Sequence, residues 1–245
     1  MTKKKIGLVA SKTGENSFGS TINYIMFAER FGEVILLMPD HEVRDDLDLL
    51  ILPGGADVSV ARYGQTPNWF TGKPDIFKEH FDEVYLPQYI ANGTPICAIC
   101  RGFQSLYVTL GGSLIQHMNH ETNDMAKDQF SAVHDMMLLP NFTSRTQFTD
   151  KVKLPINSRH HQIIDVATCP EDLSIVGVHC KFRSNNSDGS PEMYLHDDLP
   201  IVGFQFHPED VYEPDTYHFI NNVVNTLIET KQSILIPVED EVQVD

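Results

Sequence analysis

The stretch Pro95-Ile96-Cys97-Ala98-Ile99-Cys100-Arg101-Gly102-Phe103-Gln104 decides the fold of this chain. Its apolar part, 95–99, predicts a buried strand, and the pattern over 103–110 predicts a helix directly behind it. A sharp turn between the two, for which Gly102 leaves room, would lift the Cys100 side chain above the sheet, as in a nucleophile elbow. The N-terminus of the helix favours negative charge, which lowers the pKa of a thiol. These features make Cys100 a candidate nucleophile.

The residues upstream of this stretch alternate between apolar runs and helical patterns. Strands are predicted over 6–10, 34–38 and 47–52, and helices over 20–31 and 75–92, with Pro87 kinking the second helix. Continuous apolar strands separated by helices indicate a parallel sheet that is covered on both faces.

Downstream of residue 113 the pattern is more mixed. Strands, some of them antiparallel, are predicted over 133–139, 174–178, 192–195 and 201–206, a turn over 184–189, and a final helix over 215–230. The sequence therefore predicts the α/β fold class. We expect a single domain over residues 1–230, with a mostly parallel central sheet flanked by helices, and an acidic C-terminal tail over 231–245.

A second candidate group follows the apolar run 201–204, within Gln205-Phe206-His207-Pro208-Glu209. In an extended segment, residues two apart project to the same side, so Glu209 can orient the ring of His207. Pro208 between them has no N–H and a fixed φ, which stiffens the spacing. A thiol, a base and a carboxylate at strand ends predict a cysteine hydrolase whose catalytic residues are Cys100, His207 and Glu209.

The bulk properties exclude several other classes of protein. The net charge of −16 argues against a nucleic-acid partner, because such binding depends on Lys and Arg displacing counterions. No apolar run is long enough for a secretory signal or a membrane span, so we expect no membrane partner. Four cysteines without an export signal favour a reducing compartment, and we expect a cytoplasmic protein.

The cysteines allow one alternative reading of the elbow. Cys97-x-x-Cys100 has the spacing of a thioredoxin-like redox pair. That motif opens a helix, however, whereas Cys97 lies inside the apolar strand and is expected to be packed. Cys169 and Cys180 have no partner spacing that suggests zinc, so no metal site is predicted.

Several motifs together resemble the class I glutamine amidotransferase family, over 6–229. They are the Cys100 elbow followed by Gln104, the tripeptide His207-Pro208-Glu209, and Leu52-Pro53-Gly54-Gly55-Ala56-Asp57-Val58. Two further stretches, Asp57 through Tyr63-Gly64 and Asn157-Ser158-Arg159-His160-His161-Gln162, look like the branch of gamma-glutamyl hydrolases and gamma-glutamyl-gamma-aminobutyrate hydrolases. The resemblance implies a flavodoxin-like glutamine amidotransferase fold.

The elbow and the resemblance together assign further site residues. The backbone N–H groups of Arg101 and Gly55 are expected to form an oxyanion hole. The resemblance implies that Asn157, Ser158 and His160 line the glutamyl pocket and that Gln104 binds the glutamyl head group; no cofactor is implied.

The expected reaction is cleavage of the side-chain amide of glutamine or of a gamma-glutamyl amine, through a glutamyl thioester on Cys100. The products would be glutamate and ammonia or an amine. Two alternatives stay open at this point: a glutaminase subunit that supplies ammonia to a separate synthetase partner in trans, and a non-catalytic binding protein on the same fold.

Overall fold

The computed structural model describes residues 3–15, 17–119, 122–123, 128, 130–144, 146, 148–181 and 189–235. Its strands, in chain order, are β1 (Lys5–Val9), β2 (Ser11–Gly14), β3 (Ser17–Gly19), β4 (Glu33–Leu37), β5 (Leu49–Leu52), β6 (Ile96–Ile99), β7 (Leu114–Ile115), β8 (His134–Leu138), β9 (Lys153–Ile156), β10 (Ile163–Ile164), β11 (Leu173–Cys180), β12 (Pro191–His196) and β13 (Ile201–Phe204). Its α-helices are α1 (Ile22–Glu29), α2 (Ile76–His80), α3 (Leu86–Ala91), α4 (Arg101–Thr109), α5 (Pro140–Thr143) and α6 (Pro214–Thr230). Short 3-10 turns occupy Val60–Tyr63, Val166–Thr168 and Pro208–Asp210, and a π-helical segment occupies Phe81–Tyr85.

Nine of the described strands form one sheet in the order β4-β1-β5-β6-β13-β12-β11-β8-β9. The first five strands of that order are parallel, and each of the remaining four pairs antiparallel with its neighbour. The elbow strand β6 lies between β5 and β13, inside the parallel half. The predicted α/β domain, with a mostly parallel central sheet and flanking helices, is confirmed.

Alternate residues of β6 pack against helices on opposite faces of the sheet. Ile96 and Ala98 join the apolar cluster that contains Phe103 of α4. Cys97 and Ile99 join the cluster that contains the buried side of α6. Because both faces are covered, the strand has no exposed position and appears in the sequence as an uninterrupted apolar run.

The helix predicted over 75–92 is divided into three segments. Asp75 caps α2 by accepting a hydrogen bond from the N–H of Phe77 at 3.0 Å. The π-helical segment follows, and α3 then begins at Leu86 with Pro87 in its first turn. Since the first turn of a helix needs no intrahelical N–H, Pro87 starts a helix here instead of kinking one.

Other elements also differ from the sequence-based expectations, and α4 and β9 are two of them. Helix α4 begins at Arg101, directly after the elbow residue, two residues before the predicted start. Strand β9 was not predicted, because its Pro155 argues against a strand; the structure tolerates it because β9 lies at the edge of the sheet.

The C-terminal part of the chain stays packed beyond the predicted boundary at residue 230. Ile234 and Leu235 are buried in the same apolar cluster as α6. The remainder of the predicted tail, 236–245, and residues 184–188 of the turn predicted over 184–189 lie outside the described residues. Among the helices that are described, none combines the length and apolar character that a bilayer crossing demands.

Candidate active site

Cys100 occupies the elbow between β6 and α4 with φ 50° and ψ −104°. Among the described non-glycine residues only Lys231 shares a positive φ. The Cys100 N–H donates to the carbonyl of Phe204 on β13 at 2.8 Å. A Cβ on Gly102 would lie only 2.2 Å from the carbonyl oxygen of Leu52, so glycine is required there for α4 to approach β5. Backbone strain of this kind persists where the surrounding packing imposes it, and it is concentrated at functional sites.

Three neighbouring parallel strands bring the predicted residues to one edge of the sheet. The turn containing Gly54 and Gly55 follows β5, Cys100 follows β6, and His207 lies just beyond β13. A Cβ added to Gly54 would lie 3.1 Å from Cε1 of His207 and 3.4 Å from Cβ of Cys100. The carboxyl ends of parallel strands are the usual place for ligands in such sheets.

An open crevice of about 520 Å³ gives access to this point. Four of the predicted site residues line it: Gly55, Cys100, His207 and Glu209. Tyr24 and Arg159, which were not predicted, line it as well.

His207 and Glu209 form a buried pair beside Cys100. Nδ1 of His207 lies 2.7 Å from Oε1 of Glu209. The intervening residues form a 3-10 turn, so the contact arises from a tight turn and not from the extended segment that the sequence suggested. Burial alone would lower the pKa of His207, but the charges of Glu209 and Cys100, and hydrogen bonds to both, raise it to about 10. The site therefore favours an imidazolium at His207, next to the Cys100 side chain.

The backbone of His207 is fixed by Asn157. The His207 N–H donates to Oδ1 of Asn157 at 2.9 Å, and Nδ2 of Asn157 donates back to the His207 carbonyl at 2.9 Å. This reciprocal pair holds the residue after β13 in place without using its ring.

Tyr24 of α1 connects the His207 ring to the turn after β5. Its hydroxyl oxygen accepts a hydrogen bond from the Gly54 N–H at 2.9 Å and lies 3.3 Å from Nδ1 of His207. Burial, followed by the charges of Glu209 and Cys100, raises the pKa of Tyr24 well above its usual value. The hydroxyl therefore stays neutral and links the two parts of the site without adding a charge.

Arg159 approaches the same pair from the other wall of the crevice. Its Nη2 lies 2.6 Å from Oδ2 of Asp210 and 3.4 Å from Oε1 of Glu209. Asn23 of α1 donates to the other oxygen of Asp210 at 2.6 Å. These contacts tie α1 to the turn that carries Glu209.

The two backbone amides predicted for an oxyanion hole flank Cys100. Arg101 is the first residue of α4, and Gly55 lines the crevice. Within the described part of the chain, neither N–H donates a hydrogen bond to another group. The Arg101 side chain, in contrast, is buried and paired with Glu79 and Asp82 at 2.6 Å each. Among the described residues, both amides are therefore left without a protein acceptor.

The four residues that the resemblance assigned to substrate are all buried, and none of them is among the residues that line the crevice. Nε2 of Gln104 donates to the carbonyl of Gln162 at 2.9 Å. Nδ1 of His160 lies 2.9 Å from the same carbonyl. The Ser158 hydroxyl has no hydrogen bond within the described residues, whereas the Asn157 amide is occupied by His207.

The other cysteines do not form an alternative site. None of the four cysteines is in a disulfide, and Cys97 is fully buried, which raises its pKa strongly. Across the described residues, no cluster of three or more His, Cys, Asp or Glu side chains has the arrangement of a metal site. A redox pair between Cys97 and Cys100 has no support from this geometry.

Three contacts of the site were missed by sequence reasoning: Tyr24, Lys78 and Arg159. Lys78 is 3% exposed, and its ammonium donates to the Gly54 carbonyl. No pattern could have identified it, because a lysine on an amphipathic helix is almost always solvent-exposed. Arg159 lies inside the Asn157-to-Gln162 stretch, so the sequence indicated that it is near the site but not which residues it contacts.

Comparison with known proteins agrees with this fold. A family model described as Peptidase C26 matches residues 12–209. The glutamine amidotransferase-like protein YvdE of Lactococcus lactis is 27% identical over 207 residues, which are 80% of this chain and 82% of the relative. Anthranilate synthase component 2 of the same organism is 27% identical over 148 residues, covering 60% of this chain and 67% of the relative. By its name, that relative is one component of a synthase.

The fold is also similar to solved structures. The structure of PurLQS from Thermotoga maritima superposes with a TM-score of 0.61 and 21% identity, covering 92% of this chain and 100% of that chain. At that level of identity the likeness supports the fold alone.

Proposed function

The chain belongs to the Peptidase C26 family, within the class I glutamine amidotransferase-like hydrolases, and we propose that it cleaves the γ-amide of glutamine or of a γ-glutamyl amine. The observation that carries the proposal is the strained elbow of Cys100, which opens into one crevice with the His207–Glu209 pair. A thiol beside an imidazolium is the arrangement that activates cysteine nucleophiles.

In the proposed reaction, the Cys100 thiolate attacks the side-chain carbonyl carbon of the substrate. The imidazolium of His207 gives its proton to the leaving nitrogen, the C–N bond breaks, and a glutamyl thioester remains on Cys100. Neutral His207 then takes a proton from water, whose oxygen attacks the thioester. Glutamate leaves and the thiolate is restored, with Glu209 orienting the ring throughout.

The N–H groups of Gly55 and Arg101 would stabilise the oxyanion in both steps. Their freedom from other hydrogen bonds in the described structure supports that role. Loss of one such donor typically costs on the order of 100-fold in rate. The scheme uses no cofactor.

We propose that buried polar residues of the stretches that carry the resemblance bind the glutamyl head group. Gln104, Ser158 and His160 are the residues with atoms that could turn towards it. Asn157 would act by holding His207, since its amide is already used on both sides.

Of the two open functions, we favour a stand-alone γ-glutamyl hydrolase, on the strength of the Asp57-to-Gly64 and Asn157-to-Gln162 stretches. A glutaminase subunit working with a synthetase is the second candidate. It is favoured by exposed apolar side chains near the crevice, with Ile22 63%, Met26 58% and Tyr212 69% exposed. The similarity to a synthase component points the same way.

Two measurements test the proposal. The first is incubation with a chloroketone analogue of glutamine, followed by mass mapping: a single adduct on Cys100 is expected, and none in Cys100→Ala. The second is turnover of glutamine against a panel of γ-glutamyl amines by the purified chain. Turnover of the amines without a partner supports the hydrolase, whereas silence until a synthetase is added supports the subunit. Labelling of another residue, with Cys100 unmodified, would contradict both candidate functions.

A further inference from the structure

Lys78 makes a contact that bears directly on the turn after β5. Its buried ammonium donates a hydrogen bond to the Gly54 carbonyl. A Cβ on Gly55 would lie 2.7 Å from the Lys78 Nζ, so the ammonium rests against both residues of the turn.

The contact between Lys78 and the Gly54 carbonyl fixes the direction of the Gly55 N–H. The Gly54 carbonyl and the Gly55 N–H belong to one peptide unit, and in a trans peptide they point in opposite directions. Because neither glycine has a Cβ, the unit could otherwise rotate easily. Holding the carbonyl against Lys78 therefore directs the Gly55 N–H away from the ammonium.

The charge of Lys78 has no direct counter-ion within the part of the chain that the structure describes. The neighbouring buried charges form closed pairs: Arg101 with Glu79 and with Asp82 at 2.6 Å each, and Arg62 with Asp82 at 3.1 Å. Among the described residues, Lys78 forms no ion pair with a carboxylate. A buried cation left in this way is costly unless a negative charge develops close by.

The groups that face Lys78 come from each element packed around it. Burial, followed by the charge of Arg101 at the start of α4, lowers the pKa of Lys78 to about 7. Asp75 at the cap of α2, Asp82 of the π-helical segment and Cys100 at the elbow act in the opposite direction. Of these, only Cys100 gains or loses its charge during the proposed reaction.

We propose that Lys78 is a positioning residue of this site: its ammonium holds the Gly54–Gly55 peptide with the Gly55 N–H directed into the crevice, and its charge favours the Cys100 thiolate. The first part rests on the proposed function. The second part concerns the free thiol and can be measured without any substrate.

The experiment compares wild type with Lys78→Met, which removes the ammonium, and Lys78→Gln, which keeps an N–H donor without the charge. Leu227→Ala on α6, a fully buried site on the other face of the sheet, is the control for lost stability. Two quantities are measured for each protein: kcat and KM for the best γ-glutamyl substrate, and the rate of Cys100 alkylation by iodoacetamide between pH 6 and 10.

We expect Lys78→Met to lower kcat by about 100-fold with little change in KM, as for loss of an oxyanion donor. Lys78→Gln should recover part of kcat but not the alkylation rate. In both variants the rate of alkylation between pH 6 and 7, where Lys78 of the wild type carries its charge, should fall by about 10-fold. Leu227→Ala should alkylate like wild type.

An unchanged alkylation profile in Lys78→Met would overturn the inference, whatever the turnover. The inference would also be overturned if Lys78→Met and Lys78→Gln lost kcat equally, and if Leu227→Ala, at the same melting temperature, lost as much. If wild type turns over no γ-glutamyl amide while the alkylation profiles differ as expected, the proposed function fails and the effect of Lys78 on the thiol stands.

Discussion

The imidazole of His207 and the carboxylate of Glu209 are two residues apart in the chain and 2.7 Å apart in space, across a proline. Pro208 begins the 3-10 turn that contains Glu209, and the turn brings the carboxylate back beside the ring of the residue that precedes it. Asn157 holds the His207 backbone and Arg159 lies against Glu209, so both members of the pair are anchored from outside the turn. A base held in this way keeps one orientation towards the Cys100 sulfur.

Replacing Glu209 by Gln tests this relationship. The amide keeps the shape but removes the charge that helps to raise the pKa of His207, so the ring is less often an imidazolium. We expect kcat/KM to fall on the order of 1,000-fold. Asp210→Asn is the matched control, because Asp210 is the next buried carboxylate and contacts Arg159 and Asn23 instead of the ring. Equal losses in the two variants would show that charge near the turn matters and pairing with His207 does not.

The parallel half of the fold could be predicted from the sequence because each of its strands and helices has a clear hydrophobic pattern of its own. Strands such as β6 are buried on both faces and give uninterrupted apolar runs, while α6 keeps a helical spacing of buried residues. The antiparallel half was harder. Its edge strand β9 contains Pro155. Strands β7 and β10, which form a separate two-stranded sheet, have two residues each, and this is too short for any periodic signal.

The site divides in the same way. Cys100, His207 and Glu209 stand at strand ends in motifs with a local chemical meaning, and the fold brings them together. Tyr24 and Lys78 act through contacts to Gly54 that span 30 and 24 positions of the chain. Such contacts depend on how α1 and α2 pack around the turn after β5, and nothing in the local sequence of either helix encodes them.

Cys97→Ala tests whether the other cysteine of the Cys97-x-x-Cys100 motif takes part in the reaction. The Cys97 thiol is fully buried with a strongly raised pKa, so it is neutral and takes no part in chemistry. We expect kcat within about twofold of wild type and a loss of about 1 kcal/mol in the free energy of unfolding for the small cavity. Activity should also be the same with and without a thiol reductant, measured after overnight exposure to each condition under nitrogen. An activity that needs Cys97 and responds to reductant would restore the redox reading.

Gly102→Ala should destabilise the protein because of one close approach. The added methyl would meet the Leu52 carbonyl oxygen, and the neighbouring Leu52 Cβ is 2.8 Å away, so α4 must move off β5. We expect the free energy of unfolding to fall by more than about 3 kcal/mol. Gly111→Ala is the control: its φ is +105° but nothing lies within 4 Å of the new methyl, so strain alone contributes. Urea unfolding of the two variants measures the difference, and equal losses would contradict the steric argument.

The dependence of stability on pH distinguishes the two perturbed cations of the site. The pKa of His207 is raised to about 10, so the folded chain retains a proton that the unfolded chain loses above pH 6.5. Its stabilisation is complete below 6.5 and is lost as the pH rises through 10. The pKa of Lys78 is lowered to about 7 from 10.5, so here the unfolded chain binds the extra proton, and stability increases between pH 7 and 10.5.

Between pH 7 and 10 these two contributions oppose each other, so each can be exposed by removing the other. In Lys78→Met only the His207 contribution remains, and the free energy of unfolding should decrease across this range relative to wild type. In His207→Gln only the Lys78 contribution remains, and the free energy of unfolding should increase. Each slope should be at most about 1.4 kcal/mol per pH unit. Urea unfolding at pH 7, 8, 9 and 10 gives both slopes. Parallel slopes in the two variants would mean that at least one of the groups titrates in the folded chain as it does in the unfolded one.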